Sequence, residues 1–274
     1  MRPSRVLILF DASPQALHAL EVATELASHH QAPLVAIYVE EPDRQRGLAY
    51  SFSHEVSALS GAIHRIDPGL HRLNADRTAT AVRRAIEQVT SHRRVKWELL
   101  VLRGQLVEEI LAISKPGDSL LLGCVGWSAR LGRKLGGTPL TLARRANASV
   151  QICSPDIARS RAQVAVLIEE WSPSSEAMLH YAARRAEVGK RTLVVLASPL
   201  LDDEDATRLN QSLASVPTPW RLRKLPRMTS GEMFNVLAEE RVVELVVRRG
   251  GDWLQSETPQ RILERMAITI NVMA

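Results

Sequence analysis

Residues 6–14 read Val-Leu-Ile-Leu-Phe-Asp-Ala-Ser-Pro, and residues 164–173 read Val-Ala-Val-Leu-Ile-Glu-Glu-Trp-Ser-Pro. Each is a short, wholly apolar run stopped by an acidic residue and followed by Ser-Pro. A run with no polar face predicts a strand buried on both sides of a parallel sheet. Ser13 and Ser172 suit a helix N-cap, and Pro14 and Pro173 suit the first helical position. After Pro14, the residues Leu17, Leu20, Ala23 and Ala27 recur at helical spacing, so one face of that helix packs on the sheet. Leu34–Val39 then predicts a second strand, which completes a β-α-β unit with a right-handed crossover.

A shift of 159 residues brings the same pattern back. Leu179, Ala182 and Ala186 fall on Leu20, Ala23 and Ala27, and Leu193–Ser198 falls on Leu34–Val39. Later in each half, Thr138-Pro139 corresponds to Thr258-Pro259, and a closing strand Ala148–Cys153 corresponds to Ile268–Met273. Matches in one order at both ends of each half mark a tandem duplication. Between these anchors the first half predicts a helix over Thr78–Thr90, a strand over Val95–Leu102, a short helix over Val107–Ile113 and a strand over Ser119–Leu122. The second half offers Trp220–Leu225, a helix over Glu232–Glu239, and Val242–Val247. Residues 43–75 form a polar connection, part helix and part loop. The expected fold is α/β, with two doubly wound, Rossmann-like parallel-sheet domains at 1–153 and 163–274 and a linker at 154–162.

Composition narrows the function. The chain of 274 residues is 45% apolar, 4% aromatic, and carries a net charge of +5. Its basic residues are scattered, without the charged stripe and stacking aromatics of a nucleic-acid surface, so no nucleic-acid partner is expected. Cys124 and Cys153 form no CxxC and read as small buried apolar residues. Val6–Phe10 is too short for a signal-peptide core, and no run approaches the ~20 apolar residues of a membrane span. A cytoplasmic protein without a membrane partner is expected. His29 and His30 end a helix and no second ligand is placed by spacing, so no metal site is expected. The nucleophile elbow of hydrolases and the Gly-Lys-Ser/Thr ending of a P-loop are both missing. No catalytic residue is assigned.

Chemistry concentrates after Ser119–Leu122, where Gly123 and Gly126 are followed, nine residues on, by Gly136-Gly137-Thr138. Glycines between a strand and a helix let the backbone approach a phosphate chain and aim N–H groups at it. In an open α/β sheet, ligands sit beyond the carboxyl ends of the strands. Three such ends carry Asp11, Val39-Glu40 and the Gly123 loop. This set resembles the nucleotide-binding branch of the universal stress protein family, which has an acidic residue after the first strand and a G-x2-G-x9-G-S/T motif after the fourth. The resemblance implies that ATP, with or without magnesium, is held by Asp11 and Val39 along the adenine and ribose. It also implies that Gly123 and Gly126 lie at the ribose and phosphates, and Gly136, Gly137 and Thr138 at the phosphates. Gly137 departs from the family's Ser or Thr, and Ala12 stands where the family often has glycine. Thr138, before Pro139, is the expected N-cap of the last helix. Arg130, Arg133 and Lys134 either neutralise phosphates or form an ordinary solvated loop.

The second half lacks this equipment. Arg248 stands in place of Gly123, only Gly251 keeps a counterpart (Gly126), and Ser256-Glu257 replaces Gly136-Gly137. Eleven residues separate Gly126 from Thr138, but six separate Gly251 from Thr258. Asp11 becomes Glu169-Glu170, followed by Trp171. The second site is therefore expected to be closed to ATP, with Trp171 or Trp253 in the vacated pocket. The two halves are expected to pair as an intramolecular copy of the family's dimer, the closing strands meeting edge to edge; a homodimer of whole chains is compatible with that arrangement. The functional expectation is an ATP-binding stress-response sensor or regulator, acting through an unidentified protein partner, with hydrolysis slow if it occurs. The alternatives are a ligand-free interaction module of the same fold and a nucleotide-handling α/β enzyme such as a nucleotidyl transferase.

Overall fold

The computed structural model describes residues 2–10, 14–40, 54–56, 63–65, 80–123, 137–154 and 162–273. In chain order the first half holds β1 (Val6–Leu9), α1 (Pro14–His30), β2 (Leu34–Glu40), β3 (His54–Val56), β4 (Ile63–Arg65) and α2 (residues 80–90). It continues with β5 (Trp97–Arg103), α3 (Leu106–Ile113), β6 (Ser119–Gly123), α4 (Thr138–Arg145) and β7 (Ser149–Cys153). The second half holds β8 (Gln163–Ile168), α5 (Pro173–Val188), β9 (Leu193–Ala197), α6 (Asp203–Ala214) and β10 (Trp220–Lys224). Then come α7 (Ser230–Glu239), β11 (Val242–Arg248), α8 (Asp252–Gln255), α9 (Thr258–Arg265) and β12 (Thr269–Met273).

Ten strands form one sheet in the order β10-β9-β8-β11-β12-β7-β6-β1-β2-β5. Every neighbouring pair is parallel except β7 and β12, which run antiparallel with Gln151 opposite Asn271. The order is thus the same doubly wound pattern twice, joined through the closing strands about a pseudo-two-fold axis at Gln151 and Asn271. Strand order reverses between β1 and β6 in the first half and between β8 and β11 in the second, and the crevices lie at these two points.

Alternation along each strand sorts the core into layers. Leu7, Val35, Ile37, Leu120 and Leu122 face α3 and α4, and their cluster runs on without a break through Leu245, Val247, Ile270 and Val272 to α7, α8 and α9. The opposite face carries two separate clusters, one under α1 and α2 and one under α5 and α6. One face therefore joins the halves, and the other keeps them apart.

The duplication holds at atomic detail. α1 and α5 both end in a left-handed residue, Gln31 at φ 52° and Lys190 at φ 50°. The following amides return to equivalent carbonyls, Ala32 to Ala27 at 2.9 Å and Arg191 to Ala186 at 2.8 Å. Ser172 caps α5 as expected, its hydroxyl accepting from Ser175 N at 3.1 Å; Ser13 lies outside the described residues.

Four expectations need correction. Val6 pairs with Leu34 and Ser119, whereas Val164 pairs with Leu193 and Glu244. The first strands are therefore related by a shift of 158 residues rather than 159, with one extra residue in the turn before α5. Asp11 then corresponds to Glu169 alone. α6 has no counterpart in the expected elements. Its sequence is largely polar, but Asp202 caps it by accepting from Asp205 N, three acids line its first turn, and Leu209 and Leu213 are buried. Within residues 43–75, the described segments β3 and β4 form a small antiparallel ladder rather than a helix. Finally, Thr138 is the first residue of α4 and Gly137 is its N-cap.

Candidate functional site

Of the expected ligand residues, Val39, Gly123, Gly137 and Thr138 are described; Asp11, Gly126 and Gly136 lie outside the described residues, as do Arg130, Arg133 and Lys134. Val39 is the penultimate residue of β2, its side chain buried in the core that α3 and α4 cover, which leaves only its backbone to face a ligand. Gly123 closes β6, hydrogen-bonded in register with Cys153 of β7. Gly137 and Thr138 open α4, whose buried face holds Pro139, Leu140, Leu142 and Ala143.

The two halves present the same last helix with different ends. α4 and α9 are both eight residues long with Pro second, and their N-caps Gly137 and Glu257 share a helical backbone with no side-chain cap. In α9 the first amide, Thr258 N, is taken by Ser256 Oγ at 3.1 Å. The residue in that place before α4 is Gly136, which has no side chain to offer. Gly137 itself has open space on its side-chain side, with no atom within 4 Å of an added Cβ. A helix start with no side-chain cap among the described residues and open space at its N-cap suits an anion. Glu257, in the place of Gly137, points to solvent and pairs with Arg261 at 2.8 Å.

The second crevice is filled by the chain itself. Gly123 pairs with Cys153 and Arg248 with Met273, which are equivalent positions about the pseudo-two-fold axis, so Arg248 does occupy the place of Gly123. Arg248 Nη1 donates to Glu170 Oε1 at 2.5 Å. Glu169 Oε1 accepts from Trp253 N at 2.8 Å, and Trp253 is buried in the shared core. Trp171 goes elsewhere, packing on the cluster under α5 and α6 while its N–H bonds Asp205 Oδ2 at 2.9 Å. Burial raises the pKa of Glu169 above its ordinary 4.5, against the lowering effect of the Trp253 hydrogen bond, with Asp252 and Glu170 adding repulsion and Arg248 attraction.

A raised carboxyl pKa makes the folded state bind its proton more tightly than the unfolded state. The associated stability is full below the ordinary glutamate pKa and is lost as pH rises through the folded value. Glu169→Gln should therefore be more stable than the parent chain at pH 8, with the advantage shrinking towards pH 4. Thermal denaturation of both proteins across that range checks it; a constant difference would contradict it.

Two arginines cross the seam on the joined face. Arg144 of α4 donates to Leu254 O at 2.9 Å and Ser256 O at 2.8 Å, and Arg249 donates to Ala143 O at 3.1 Å and to Ala148 O. The loop of the second half is thereby anchored to the first half.

Comparison with known proteins follows the same lines. The model of the universal stress protein family matches residues 3–154. A solved universal stress protein from Archaeoglobus fulgidus DSM 4304 superposes with a TM-score of 0.67 at 13% identity, covering 98% of this chain and 95% of its own. A solved putative universal stress protein from Pseudomonas aeruginosa UCBPP-PA14 gives a TM-score of 0.57 at 13% identity, covering 99% of this chain and 93% of its own. At these identities the likeness is one of fold, and it spans both halves. Among curated proteins no match is found. Among the described residues, no helix is long and apolar enough to cross a membrane.

Proposed function

Because the chain belongs to the universal stress protein family, we propose that its first half binds an adenine nucleotide, most simply ATP, and that the protein acts as a cytoplasmic sensor or regulator with one live site per chain. The observation that carries this is the contrast between α4 and α9. The same helix start is satisfied by Ser256 in the second half, whereas in the first no side chain among the described residues caps it. A duplicated fold that stands without these glycines does not need them for folding, which supports a ligand at this helix start.

Asp11 and the backbone at Val39 would take the adenosine. Gly123 and Gly126 would admit the sugar and phosphates, and the amides at Gly137 and Thr138 would meet the terminal phosphates. Among the described residues no group of three His, Cys, Asp or Glu side chains could hold a metal ion. Magnesium, where it accompanies ATP, would enter as an ion carried by the phosphates. No residue is assigned as a catalytic base, so the expected outcome of binding is a population shift that alters a surface beside the first crevice, which a protein partner reads.

Denaturing freshly purified protein should release adenine nucleotide in proportion to one site per chain, read by chromatography of the supernatant. Gly126→Trp, which fills the cradle, should release none while keeping its circular dichroism spectrum. Equal release from both proteins would place the nucleotide elsewhere. No release from either, with no binding of added ATP, would leave the chain an interaction module.

A further inference from the structure

Gly251 is a glycine that its backbone does not require. At φ −72° and ψ 146° any residue fits. What it supplies is space, and Glu169 uses that space: a Cβ built on Gly251 would lie 1.8 Å from Glu169 Oε2. The other oxygen of the same carboxylate accepts from Trp253 N at 2.8 Å. By strand register Glu169 stands where the first half has Asp11, and Gly251 stands where it has Gly126. The second half thus sets the acidic residue of one strand end directly on the glycine of the other, across the point where strand order reverses. Arg248 and Glu170 close the mouth of the same crevice as an ion pair.

We propose that Glu169 is a built-in occupant of the second crevice, its carboxylate taking the space that an anionic ligand would otherwise take and holding that half closed. The burial of a carboxylate there works against stability unless its hydrogen bond and the bare glycine surface receive it. Both are present, and Arg248 offsets part of the repulsion from Asp252 and Glu170, while burial remains the larger effect. Gly251 leaves the occupant the space that an external ligand would otherwise take. This holds whether or not the first half binds nucleotide, and its test uses none.

The test is hydrogen exchange at the Trp253 amide in the full chain, followed by NMR. Glu169→Ala should speed exchange about tenfold, the loss of one charge-assisted hydrogen bond. Gly251→Ala, which must expel the carboxylate, should do the same, and adding it to Glu169→Ala should change nothing more. Glu169→Gln keeps an oxygen acceptor and should leave the amide protected, which separates loss of the contact from loss of the fold. Sodium formate, compared with sodium chloride at equal ionic strength, should restore protection to Glu169→Ala and leave the parent unchanged. Slow exchange in folded Glu169→Ala, a protected amide in Gly251→Ala, additive effects in the double variant, or no specific effect of formate would each overturn the proposal.

Discussion

Arg185→Leu should destabilise the protein by about 3–5 kcal/mol, and adding Glu244→Ser should return most of that loss. Arg185 holds Glu244 through Nε at 2.7 Å and Nη2 at 3.1 Å, and Asn271 adds a bond to the same carboxylate at 2.8 Å. The Glu244 side chain is only 6% exposed, so removing its cation strands a buried charge with one amide for company. Burial alone would lower the Arg185 pKa, but the charge and hydrogen bonds of Glu244 carry it above its ordinary value. The same charge, added to burial, pushes the neighbouring Tyr181 up to about 12. A cavity of about 150 Å³ beside the pair offers water a route to the stranded carboxylate, which favours the lower end of the range.

The rescue is read from the chain's own symmetry. The equivalents of Arg185 and Glu244 in the first half are Leu26 and Ser119, and those residues line a smaller cavity of about 50 Å³ on the other side of the seam. The double variant copies that working arrangement into the second half. Removing both charges at once avoids the desolvation penalty that either single change exposes. Urea denaturation of the two single variants, the double variant and the parent closes the cycle. A double variant no more stable than Arg185→Leu would mean that the pair contributes something other than mutual neutralisation.

What the sequence disclosed, and what it withheld, follows the range of the interactions. Strands such as Leu193–Ala197 lie buried on both faces, so an apolar run marks them with no knowledge of their neighbours. Helix starts at Pro14 and Pro173 rest on local patterns repeated in order, whereas the pairing of the closing strands came from the family resemblance. The single-residue insertion before α5 was hidden because the helices and following strands keep the longer spacing, and only the register of β8 reveals the change. α6 was missed because its stability comes from caps and acids rather than a broad apolar stripe. The Glu169 contact and the Arg185–Glu244–Asn271 set join residues far apart in sequence through side-chain geometry, for which no spacing rule exists. Likewise Thr138 and Gly137 differ by one place as N-cap, a matter of backbone angles that Thr-Pro alone does not decide.

Trp253→Ala should cost about 3–5 kcal/mol, whereas Trp253→Phe should change stability by no more than about 1 kcal/mol. The ring is 2% exposed and belongs to the one cluster shared by both halves, so truncation opens a large cavity in the joining core. Its Nε1, however, is buried with no acceptor among the described residues. An unpaired buried donor costs about 1–3 kcal/mol, and phenylalanine removes that donor while keeping most of the apolar surface, so the two effects of Trp253→Phe oppose one another. The comparison also bears on the crevices. Two residues beyond its glycine the second half carries this tryptophan, and two residues beyond Gly126 the first half carries Ser128. The half that fills its crevice with Glu169 thus also buries an aromatic ring at that step, where the first half has a small residue preceded by Trp127. If Trp253→Phe proved as damaging as Trp253→Ala, the indole N–H would have to be satisfied in solution, and the ring would count as a polar anchor rather than as filling.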